Sequence, residues 1–450
     1  MDYKAARKLV PSILLPWLDR MEASPSGWRL ARGVFWSAVG SVITRALALV
    51  SAIVLARLLG KVTFGELGMI QSTLSMFATF AIFGVGLTAT KHVAEYRKSD
   101  AGRAGRVIAL SSGVAVLSGS AMALVMTLTA PWMAKHWLAA PHLGTAVAVS
   151  ACALVWGVLN EAQLGTLSGL EAFRRRSTMQ SLGNLGAFPI TVAGAYFFGL
   201  IGAVWGLVAS SLLLVILNNY AVRKEAALAG IPLKWKDAPR EIGLLWRFNL
   251  PTFFSGAFYV PAIWVSNAIM VHTPHGYEAV GVFSAADRWR NAIMFLPTLL
   301  GGVTLPMLSS LRAESSSREY HKVLWMNLGI SALMSLIAAV PIALLAPWIM
   351  ASYGPGFAEG KWVLVCLCAS AVVHSTYWII GQSMVSKGRM WTMFRLNLLW
   401  GTVLLTVTWT LRERGALGLA LANVAADIVR MLMILFGTSL LHRTDSRTSV

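Results

Sequence analysis

Three arginines inside apolar segments are the residues of this sequence with the clearest chemistry. Arg45 lies near the middle of GVFWSAVGSVITRALALVSAIVLAR (33–57), and Arg288 and Arg290 lie in GVFSAADRWRNAIMFLPTLLGG (281–302). A charge near the centre of a bilayer is costly, so it usually faces a partner or a water-filled cavity. A guanidinium can bind two phosphate oxygens at once through its planar fork. The three arginines therefore predict an anion-binding cavity between apolar segments.

The spacing of Asp287, Arg288 and Arg290 divides their roles. On a helix, Asp287 and Arg290 are an i,i+3 pair about 60° apart, whereas Arg288 lies about 160° from Arg290. We expect Asp287 to neutralise one arginine while the other faces the cavity, and the spacing leaves open which one. The alternative is that Arg288 only snorkels to the outer interface. For Arg45, the alternative to a cavity role is a structural pair with Glu161.

Other polar side chains in apolar segments are candidates for ion coupling or for packing. Glu161, in VLNEAQLGTLSG (158–169), is a candidate cavity acid that exchanges a proton, with a structural role as the alternative. Asp427 and Arg430 are another i,i+3 pair, interpreted first as a self-neutralised structural pair and second as a coupling site at Asp427. His374 can also titrate, but a lone helical histidine is more often a packing residue.

Aromatic side chains are the candidates for sugar contact. Trp289, Tyr377 and Trp378 would stack on sugar rings if they face the cavity, although most tryptophans of such a chain serve packing or the membrane interface. The two histidines in MVHTPHGYE (270–278) do not make a metal site. No metal and no cofactor are predicted, apart from coupling to a proton or Na⁺ gradient.

Composition indicates the class of protein that carries these residues. Of the 450 residues, 56% are hydrophobic and 13% are charged, and the mean hydropathy is +0.65. Soluble domains carry about 25% charged residues. The three cysteines all lie in apolar segments, too few and too deep for a disulfide framework. The chain is therefore predicted to be an all-α polytopic membrane protein.

Twelve apolar segments have the length of about 20 residues that a membrane-spanning helix needs. They are 33–56, 64–90, 107–130, 144–170, 177–198, 201–222, 248–271, 278–308, 323–350, 361–385, 390–411 and 415–441. Most of the 38 Lys and Arg residues fall at the ends or in loops on one side, and the loops on the other side hold only Arg57, Lys61, Lys135, Lys361, Arg412 and Arg414. The positive-inside rule then predicts that both termini are cytoplasmic. The net charge of +19 lies mainly in these loops, near anionic headgroups, so nucleic acid is not a predicted partner.

The two halves of the chain repeat a glycine pattern at a constant offset of 216 residues. The matched pairs are Gly40 with Gly256, Gly65 with Gly281, Gly165 with Gly381, Gly199 with Gly415, and Gly202 with Gly418. Six spans in each half make a parallel repeat, with a pseudo-twofold axis along the membrane normal and a central cavity between two lobes. The predicted division is a basic interfacial segment (1–32), an N-lobe (33–222), a cytoplasmic linker (223–247), a C-lobe (248–441) and a cytoplasmic tail (442–450).

Four stretches resemble Wzx-type O-antigen and polysaccharide flippases. The first-to-second helix signature of that family is similar to ARLLGKVTFGELGMIQSTLSMFATFAIFGVGLTATKHVAEY (56–96), and its eighth helix is similar to GVFSAADRWRNAIMFLPTLLGGVTLPMLSSL (281–311). LLAPWIMASYGPGF (344–357) and GQSMVSKGR (381–389) resemble its ninth and tenth helices. The order and spacing of the four stretches agree over nearly all of the chain after residue 30.

The resemblance implies the fold of the multidrug/oligosaccharidyl-lipid/polysaccharide exporter superfamily. It implies an undecaprenyl-pyrophosphate-linked oligosaccharide as substrate, moved by alternating access from the cytoplasmic to the periplasmic leaflet of the bacterial inner membrane. It also implies functional charges in the first and eighth helices, which here are Arg45 and at least one of Arg288 and Arg290. A polysaccharide polymerase and chain-length proteins are candidate protein partners.

Other classes of protein fit the sequence less well. The major facilitator fold has a GxxxDRxGR-type stretch between spans 2 and 3, where this chain reads KHVAEYRKSDAGRAGR (91–106). The chain has no Walker A stretch and no nucleophile elbow, and the short outer loops leave no room for the active site of a polymerase or ligase, so no enzyme is predicted. A lipid II flippase and a drug or metabolite extruder of the same superfold remain alternatives.

Overall fold

The computed structural model describes residues 25–445, apart from 83, 234–236, 242, 244–257, 296, 299–300, 302–303, 305–307, 309–316 and 387–389. Its α-helices are α1 Pro25–Ile82, α2 Val85–Tyr96, α3 Ala101–His136, α4 Gly144–Gly169, α5 Phe173–Leu228, α6 Tyr259–Val271, α7 Gly276–Ile293, α8 Ser317–Leu344, α9 Ala346–Ser352, α10 Lys361–Ser386, α11 Met390–Thr410 and α12 Ala416–Asp445. Most of the predicted interfacial segment and Gly256 of the repeat lie outside the described residues.

These helices make twelve passes because two of them fold back at a glycine. α1 turns at Gly60 (φ 77°, ψ 173°) and α5 turns at Gly199 (φ 58°, ψ −136°), and glycine adopts positive φ without steric cost. Within the described part of the chain, seven helical stretches are long and apolar enough to cross a bilayer, and two of them are these double passes. The passes of α6, α7 and α11 complete the twelve that the hydropathy predicts.

Gly199 and Gly415 confirm the predicted two-lobe repeat in their backbone geometry. Gly415 has φ 55° and ψ −135°, nearly the values of Gly199, which lies 216 residues earlier. Each glycine forms the turn between the fifth and sixth pass of its half. We call α1–α5 the N-lobe and α6–α12 the C-lobe.

Two predicted spans are interrupted in the structure. The second span, predicted over 64–90, breaks where α1 ends at Ile82 and α2 begins at Val85, with Gly84 in the left-handed region (φ 70°). The eighth span, predicted over 278–308, is broken where α7 ends at Ile293. Pro297 follows within a turn, and because proline has no N–H it removes one backbone hydrogen bond of the helix at this break.

Close helix packing fixes the interior of the N-lobe. α2 and α4 cross where Gly86 faces Gly165, so closely that a Cβ on Gly165 would clash with the Gly86 carbonyl group. The Thr90 hydroxyl donates to the carbonyls of Gly86 (2.9 Å) and Gly165 (3.1 Å), which ties the two helices together. This crossing sets the position of Glu161, one helical turn before Gly165.

Each end of the helix bundle has a turn at a glycine, and we name the two ends after Gly60 and Gly230. The Gly60 end carries the turns at Gly60, Ala140, Gly199, Pro274 and Gly415, and the opposite end is the Gly230 end. The basic-residue pattern predicts that the Gly60 end is periplasmic.

Candidate functional site

The two lobes are sealed against each other at the Gly60 end. Lys61 Nζ lies 2.5 Å from Glu278 Oε2, and Arg57 Nε donates to the Ser352 carbonyl at 2.6 Å. Both pairs join α1 of the N-lobe to an element of the C-lobe. The passage between the lobes is therefore closed at this end.

Polar contacts continue the seal deeper into the bundle. The Trp264 indole N–H donates to the Thr73 hydroxyl at 2.9 Å, and Asn267 Nδ2 donates to Ser72 Oγ at 3.3 Å. These contacts join α6 to the second arm of α1. The centre of the lobe interface is therefore formed by α1 of the N-lobe packed against α6 and α7 of the C-lobe.

A cavity of about 280 Å³ lies within the N-lobe, between the two arms of α1 and the two arms of α5. Apart from Gln71 and Ser284, its uncharged polar side chains are Thr44, Ser51, Asn184, Thr191, Ser210 and Ser211. Of the described residues that line it, only Arg288 is charged, and Arg288 belongs to α7 of the C-lobe. The cavity thus offers one fixed positive charge among hydroxyl and amide groups.

The structure answers which arginine of α7 faces this cavity. Arg290 is buried and its Nε donates to Asp287 Oδ1 at 2.7 Å, while Asn291 Nδ2 donates to Asp287 Oδ2 at 2.8 Å. Arg288 points the other way, into the N-lobe, where its Nη2 donates to Gln71 Oε1. The geometry therefore pairs Asp287 with Arg290 and leaves Arg288 at the cavity.

Arg45, on the first arm of α1, also lies at the interface between the lobes, where it contacts α7. Its Nη1 donates to the Asn291 carbonyl at 3.0 Å, and its guanidinium lies 4.7 Å from the centre of the Phe295 ring. It therefore caps a carbonyl near the end of α7, where helix carbonyls lack partners. Thr44 and Ala48 line the cavity, but Arg45 is not among the lining residues.

Glu161 has an electrostatic neighbour other than Arg45. Its carboxylate interacts with the guanidinium of Arg176 on α5, and Arg176 Nη1 donates to Ser168 Oγ at 2.6 Å. The described contacts therefore do not support a structural pair between Arg45 and Glu161. Glu161 of α4 instead interacts electrostatically with the first arm of α5, and the hydrogen bond from Arg176 to Ser168 joins these two helices.

A second set of polar side chains is buried in the C-lobe around Asp427. Asp427 Oδ1 accepts from Trp400 Nε1 (2.9 Å) and Arg430 Nη2 (2.7 Å), and Asp427 Oδ2 accepts from the Ser370 hydroxyl (2.7 Å). Asp427 and Arg430 are both fully buried, so the interpretation as a self-neutralised pair agrees with the geometry. We call the group of Ser370, His374, Tyr377, Trp400, Asp427 and Arg430 the Asp427 cluster.

His374 is a member of this cluster that sequence reasoning treated as a packing residue. Its Nδ1 lies 2.9 Å from Arg430 Nη2 and 3.3 Å from Asp427 Oδ1. The signal was in the sequence: Ser370, His374 and Tyr377 are spaced i, i+4 and i+7, which puts them on one face of α10. That spacing cannot show that the face meets Asp427.

The three aromatic candidates for sugar contact lie in different surroundings. Trp289 Nε1 donates to the Tyr353 hydroxyl at 3.1 Å, and Tyr377 is buried beneath Arg430, 3.6 Å from its guanidinium to the ring centre. Trp378 is more open and packs against Gly301. None of the three lines the N-lobe cavity as described.

No group of three or more His, Cys, Asp or Glu residues within the described ranges is arranged to hold a metal ion. The described polar groups can bind an anion at Arg288, form hydrogen bonds to a polar solute in the N-lobe cavity, and hold or exchange a proton in the C-lobe.

Comparisons with known proteins agree on fold and family. A family model described as "Polysaccharide biosynthesis protein" matches residues 30–312. The EPS I polysaccharide export inner membrane protein EpsE of Ralstonia nicotianae is 21% identical over 348 residues, which cover 75% of this chain and 76% of that protein.

Two solved structures are similar over most of their length. The inward-facing form of a multidrug resistance MATE family transporter of the MOP superfamily has a TM-score of 0.71 at 16% identity, covering 91% of this chain and 99% of that one. The lipid II flippase MurJ, in an inward closed conformation, has a TM-score of 0.70 at 14% identity, covering 90% of this chain and 87% of that one. At these identities the likeness shows the fold alone.

Proposed function

This chain belongs to the polysaccharide biosynthesis protein family, and from that premise we propose that it is a flippase for a lipid-linked oligosaccharide. The proposed substrate is an undecaprenyl-pyrophosphate-linked oligosaccharide, which moves from the cytoplasmic to the periplasmic leaflet of the inner membrane. The fold that carries this function is the two-lobe, twelve-pass fold of the multidrug/oligosaccharidyl-lipid/polysaccharide exporter superfamily.

The observation that carries the proposal is the position of Arg288. It is a C-lobe residue whose guanidinium enters a polar N-lobe cavity and is the one charge among the described lining residues. A fixed positive charge in that setting replaces the hydration that a phosphate loses in the membrane, and its fork can hold two oxygens. Because Arg288 contacts Gln71 across the lobe interface, an anion that competes for Arg288 also weakens a contact between the lobes.

The hydroxyl and amide groups around Arg288 suit the sugar part of the substrate. Ser51, Asn184 and Ser210 can donate to and accept from sugar hydroxyls. Arg45, which also lies at the lobe interface, supplies a second positive charge near the proposed path of the pyrophosphate. The name of the Ralstonia relative, a polysaccharide export inner membrane protein, supports a saccharide substrate and an inner-membrane location.

The seal at the Gly60 end fits one state of an alternating-access cycle. With the Lys61–Glu278 and Arg57–Ser352 contacts made, substrate enters from the Gly230 end, which the basic loops predict to be cytoplasmic. Release requires these contacts to break while the lobes close at the Gly230 end. The lipid tail stays in the bilayer, and only the headgroup crosses between the lobes.

A drug extruder of the same fold is a weaker candidate for a physical reason. A cationic drug favours an acidic cavity, and the described cavity lining holds an arginine and no acid. A lipid II flippase shares the pyrophosphate chemistry and differs in the glycan.

The test is leaflet-resolved transport in proteoliposomes. A short-chain polyprenyl-pyrophosphate oligosaccharide with a fluorophore is incorporated, and a membrane-impermeant reductant reports how much of it is exposed. We expect transport by wild type, loss in Arg288→Ala, and partial recovery in Arg288→Lys, because lysine keeps the charge but not the fork. Arg395→Ala is the matched control, since Arg395 is an exposed arginine of α11.

Two results would contradict the proposal. One is full transport by Arg288→Ala. The other is wild-type protein that moves the neutral polyprenyl glycoside, which lacks the pyrophosphate, as fast as the pyrophosphate substrate. A parallel assay with lipid II separates the two flippase alternatives.

A further inference from the structure

The Asp427 cluster contains a hydrogen-bond arrangement that holds for only one protonation state. Arg430 has only donors, so its Nη2 at 2.9 Å from His374 Nδ1 requires that nitrogen to be an acceptor. The hydrogen bond from Arg430 thus corresponds to a neutral His374 that carries its proton on Nε2. Its Nδ1 then faces Asp427 Oδ1 at 3.3 Å as one acceptor facing another, with no proton between them.

A single proton placed on His374 Nδ1 reverses both contacts. The new N–H donates to Asp427 Oδ1 and turns that contact into a charge-assisted hydrogen bond. At the same time Arg430 Nη2 loses its acceptor on the ring. Arg430 Nε and Nη1 are already buried without a hydrogen-bond partner among the described residues, so the protonated state leaves this guanidinium held mainly by Asp427 and the Tyr377 ring.

The charges that face His374 balance only when it is neutral. α12 contributes Asp427 and Arg430, and α7 contributes Arg290, which interacts electrostatically with His374 and is paired with Asp287. The remaining neighbours that the structure describes are uncharged at neutral pH: Tyr259 of α6, Ser370 and Tyr377 of α10, and Trp400 and Asn397 of α11. One added proton gives this buried group an uncompensated positive charge, which a low-dielectric interior disfavours unless the packing changes.

Helix α7 connects this charge to the cavity. It presents Arg290 and Asp287 to the Asp427 cluster on one face and Arg288 to the N-lobe cavity on the other. A shift of α7 that relieves a positive charge beside Arg290 also moves Arg288 relative to Gln71. The two sites thus share one rigid element.

We propose that His374 Nδ1 is the proton-binding site that couples a proton gradient to movement of the lobes. The ligand is one proton per cycle, which forms an N–H bond at Nδ1 when it enters from one side and leaves from the same atom to the other. This inference rests on the proposed transport function and adds its driving ion.

The same geometry argues against Na⁺ at this position. Hard cations are bound by several oxygen ligands, and both Asp427 oxygens already accept from N–H or O–H donors. Arg430 lies where a cation would have to approach Asp427 Oδ1. A proton binds to His374 Nδ1 without occupying the space beside Asp427 that a metal cation would need.

The first test observes the proton itself. In protein labelled with ¹⁵N-histidine, the His374 signal is identified by its loss in His374→Asn, and its shifts report the tautomer. We expect the Nε2–H form at high pH and a doubly protonated ring at low pH. A ring that carries its proton on Nδ1 at high pH would overturn the proposal, as would one that stays neutral at every pH where the protein remains folded.

The second test measures coupling by the leaflet assay under an imposed pH gradient. For one coupled proton, the steady-state distribution of substrate changes by up to about tenfold for each pH unit. His374→Asn keeps an acceptor near the position of Nδ1 but cannot take the proton, so we expect substrate exchange without any response to the gradient. His136→Asn is the matched control, because His136 is exposed and the described contacts of its ring are with the Trp132 carbonyl and the Trp132 ring.

The outcomes separate this inference from the proposed function. If wild type moves the glycolipid and His374→Asn follows the pH gradient equally well, the inference fails and the flippase stands. A response of wild type to a Na⁺ gradient at constant pH, with none to the pH gradient, also overturns it. If no glycolipid moves but His374 titrates and its protonation opens the Gly60 end, measured by spin-label distances, the flippase proposal fails and the proton site stands.

A second variant guards against misfolding of His374→Asn. Trp400→Phe keeps a smaller aromatic ring at this position and removes one donor from Asp427 Oδ1. Asp427 then attracts the proton on His374 more strongly, so the midpoint of the pH response moves to higher pH by about one unit, the size expected for a hydrogen bond to a charged group. An unchanged midpoint in folded Trp400→Phe would count against His374 as the site.

Discussion

Gly65 and Gly281 face each other across the lobe interface, and they are equivalent positions of the two halves. A Cβ on Gly65 would clash with the Tyr277 carbonyl, and a Cβ on Gly281 would clash with the Lys61 carbonyl. Tyr277 and Lys61 are themselves 216 residues apart, so the two contacts are related by the same offset. The pseudo-twofold axis therefore passes between Gly65 and Gly281, as in the self-complementary contact of a symmetric dimer.

We predict that Gly281→Leu prevents closure of the Gly60 end. The added side chain has no space against the Lys61 carbonyl, and overpacking of this kind costs about 1–3 kcal/mol. Spin labels at Lys135 and Glu359, exposed residues of opposite lobes, should report a longer distance in this variant. Gly113→Leu is the control, since a Cβ there meets open space. Equal distances in both variants would show that the glycine contact does not limit closure.

The ion pair between Lys61 and Glu278 should contribute modestly to the same closure. Both side chains are partly exposed, and pairs of this type are worth about 0.2–1 kcal/mol. Lys61→Glu or Glu278→Lys alone should raise the open fraction, and the double reversal should restore it. The spin-label distances, repeated at high salt, measure the coupling. Additive effects of the two substitutions would show that the pair does not act as a latch.

Arg45→Ala should reduce transport strongly without unfolding the protein. It removes a positive charge near the path and the donor to the Asn291 carbonyl, whereas Phe295→Leu keeps both and removes the aromatic ring that Arg45 contacts. We expect transport to fall at least about tenfold in Arg45→Ala, the effect of losing one hydrogen bond that involves a charged group, and to stay near wild type in Phe295→Leu. The leaflet-resolved transport assay measures the transport rates of the two variants. Full transport by Arg45→Ala would remove Arg45 from the substrate path.

Asp427→Ala should destabilise the protein by about 3–5 kcal/mol, because it leaves the buried charge of Arg430 uncompensated. The double variant Asp427→Leu/Arg430→Met should recover much of that loss, since it removes both charges. Thermal unfolding of the purified protein in detergent measures the difference. Asp237→Ala is the matched control: it breaks the exposed i,i+3 pair with Arg240 and should change the unfolding temperature little. Asp427→Ala protein as stable as the double variant would show that Asp427 is not needed to neutralise the buried charge of Arg430.

The membrane architecture followed from local properties of the chain. Apolar length indicated the twelve passes, and the 216-residue offset indicated the repeat that Gly199 and Gly415 later matched in their dihedral angles. The i,i+3 spacing indicated the Asp287–Arg290 and Asp427–Arg430 pairs, because helical geometry alone brings these side chains together. Pro297 is a local signal for the break after Ile293, because proline cannot donate a backbone hydrogen bond within a helix.

The sequence by itself thus determined the number of passes, their two-lobe repeat and the presence of buried arginines, since each depends on residues close together along the chain. Only the tertiary structure decided that Arg288, rather than Arg290, enters the N-lobe cavity. It also decided that His374 of α10 meets Asp427 and Arg430 of α12. These contacts depend on how helices far apart in the chain rotate and cross when they pack, and helical periodicity gives the face of a helix but not its neighbour.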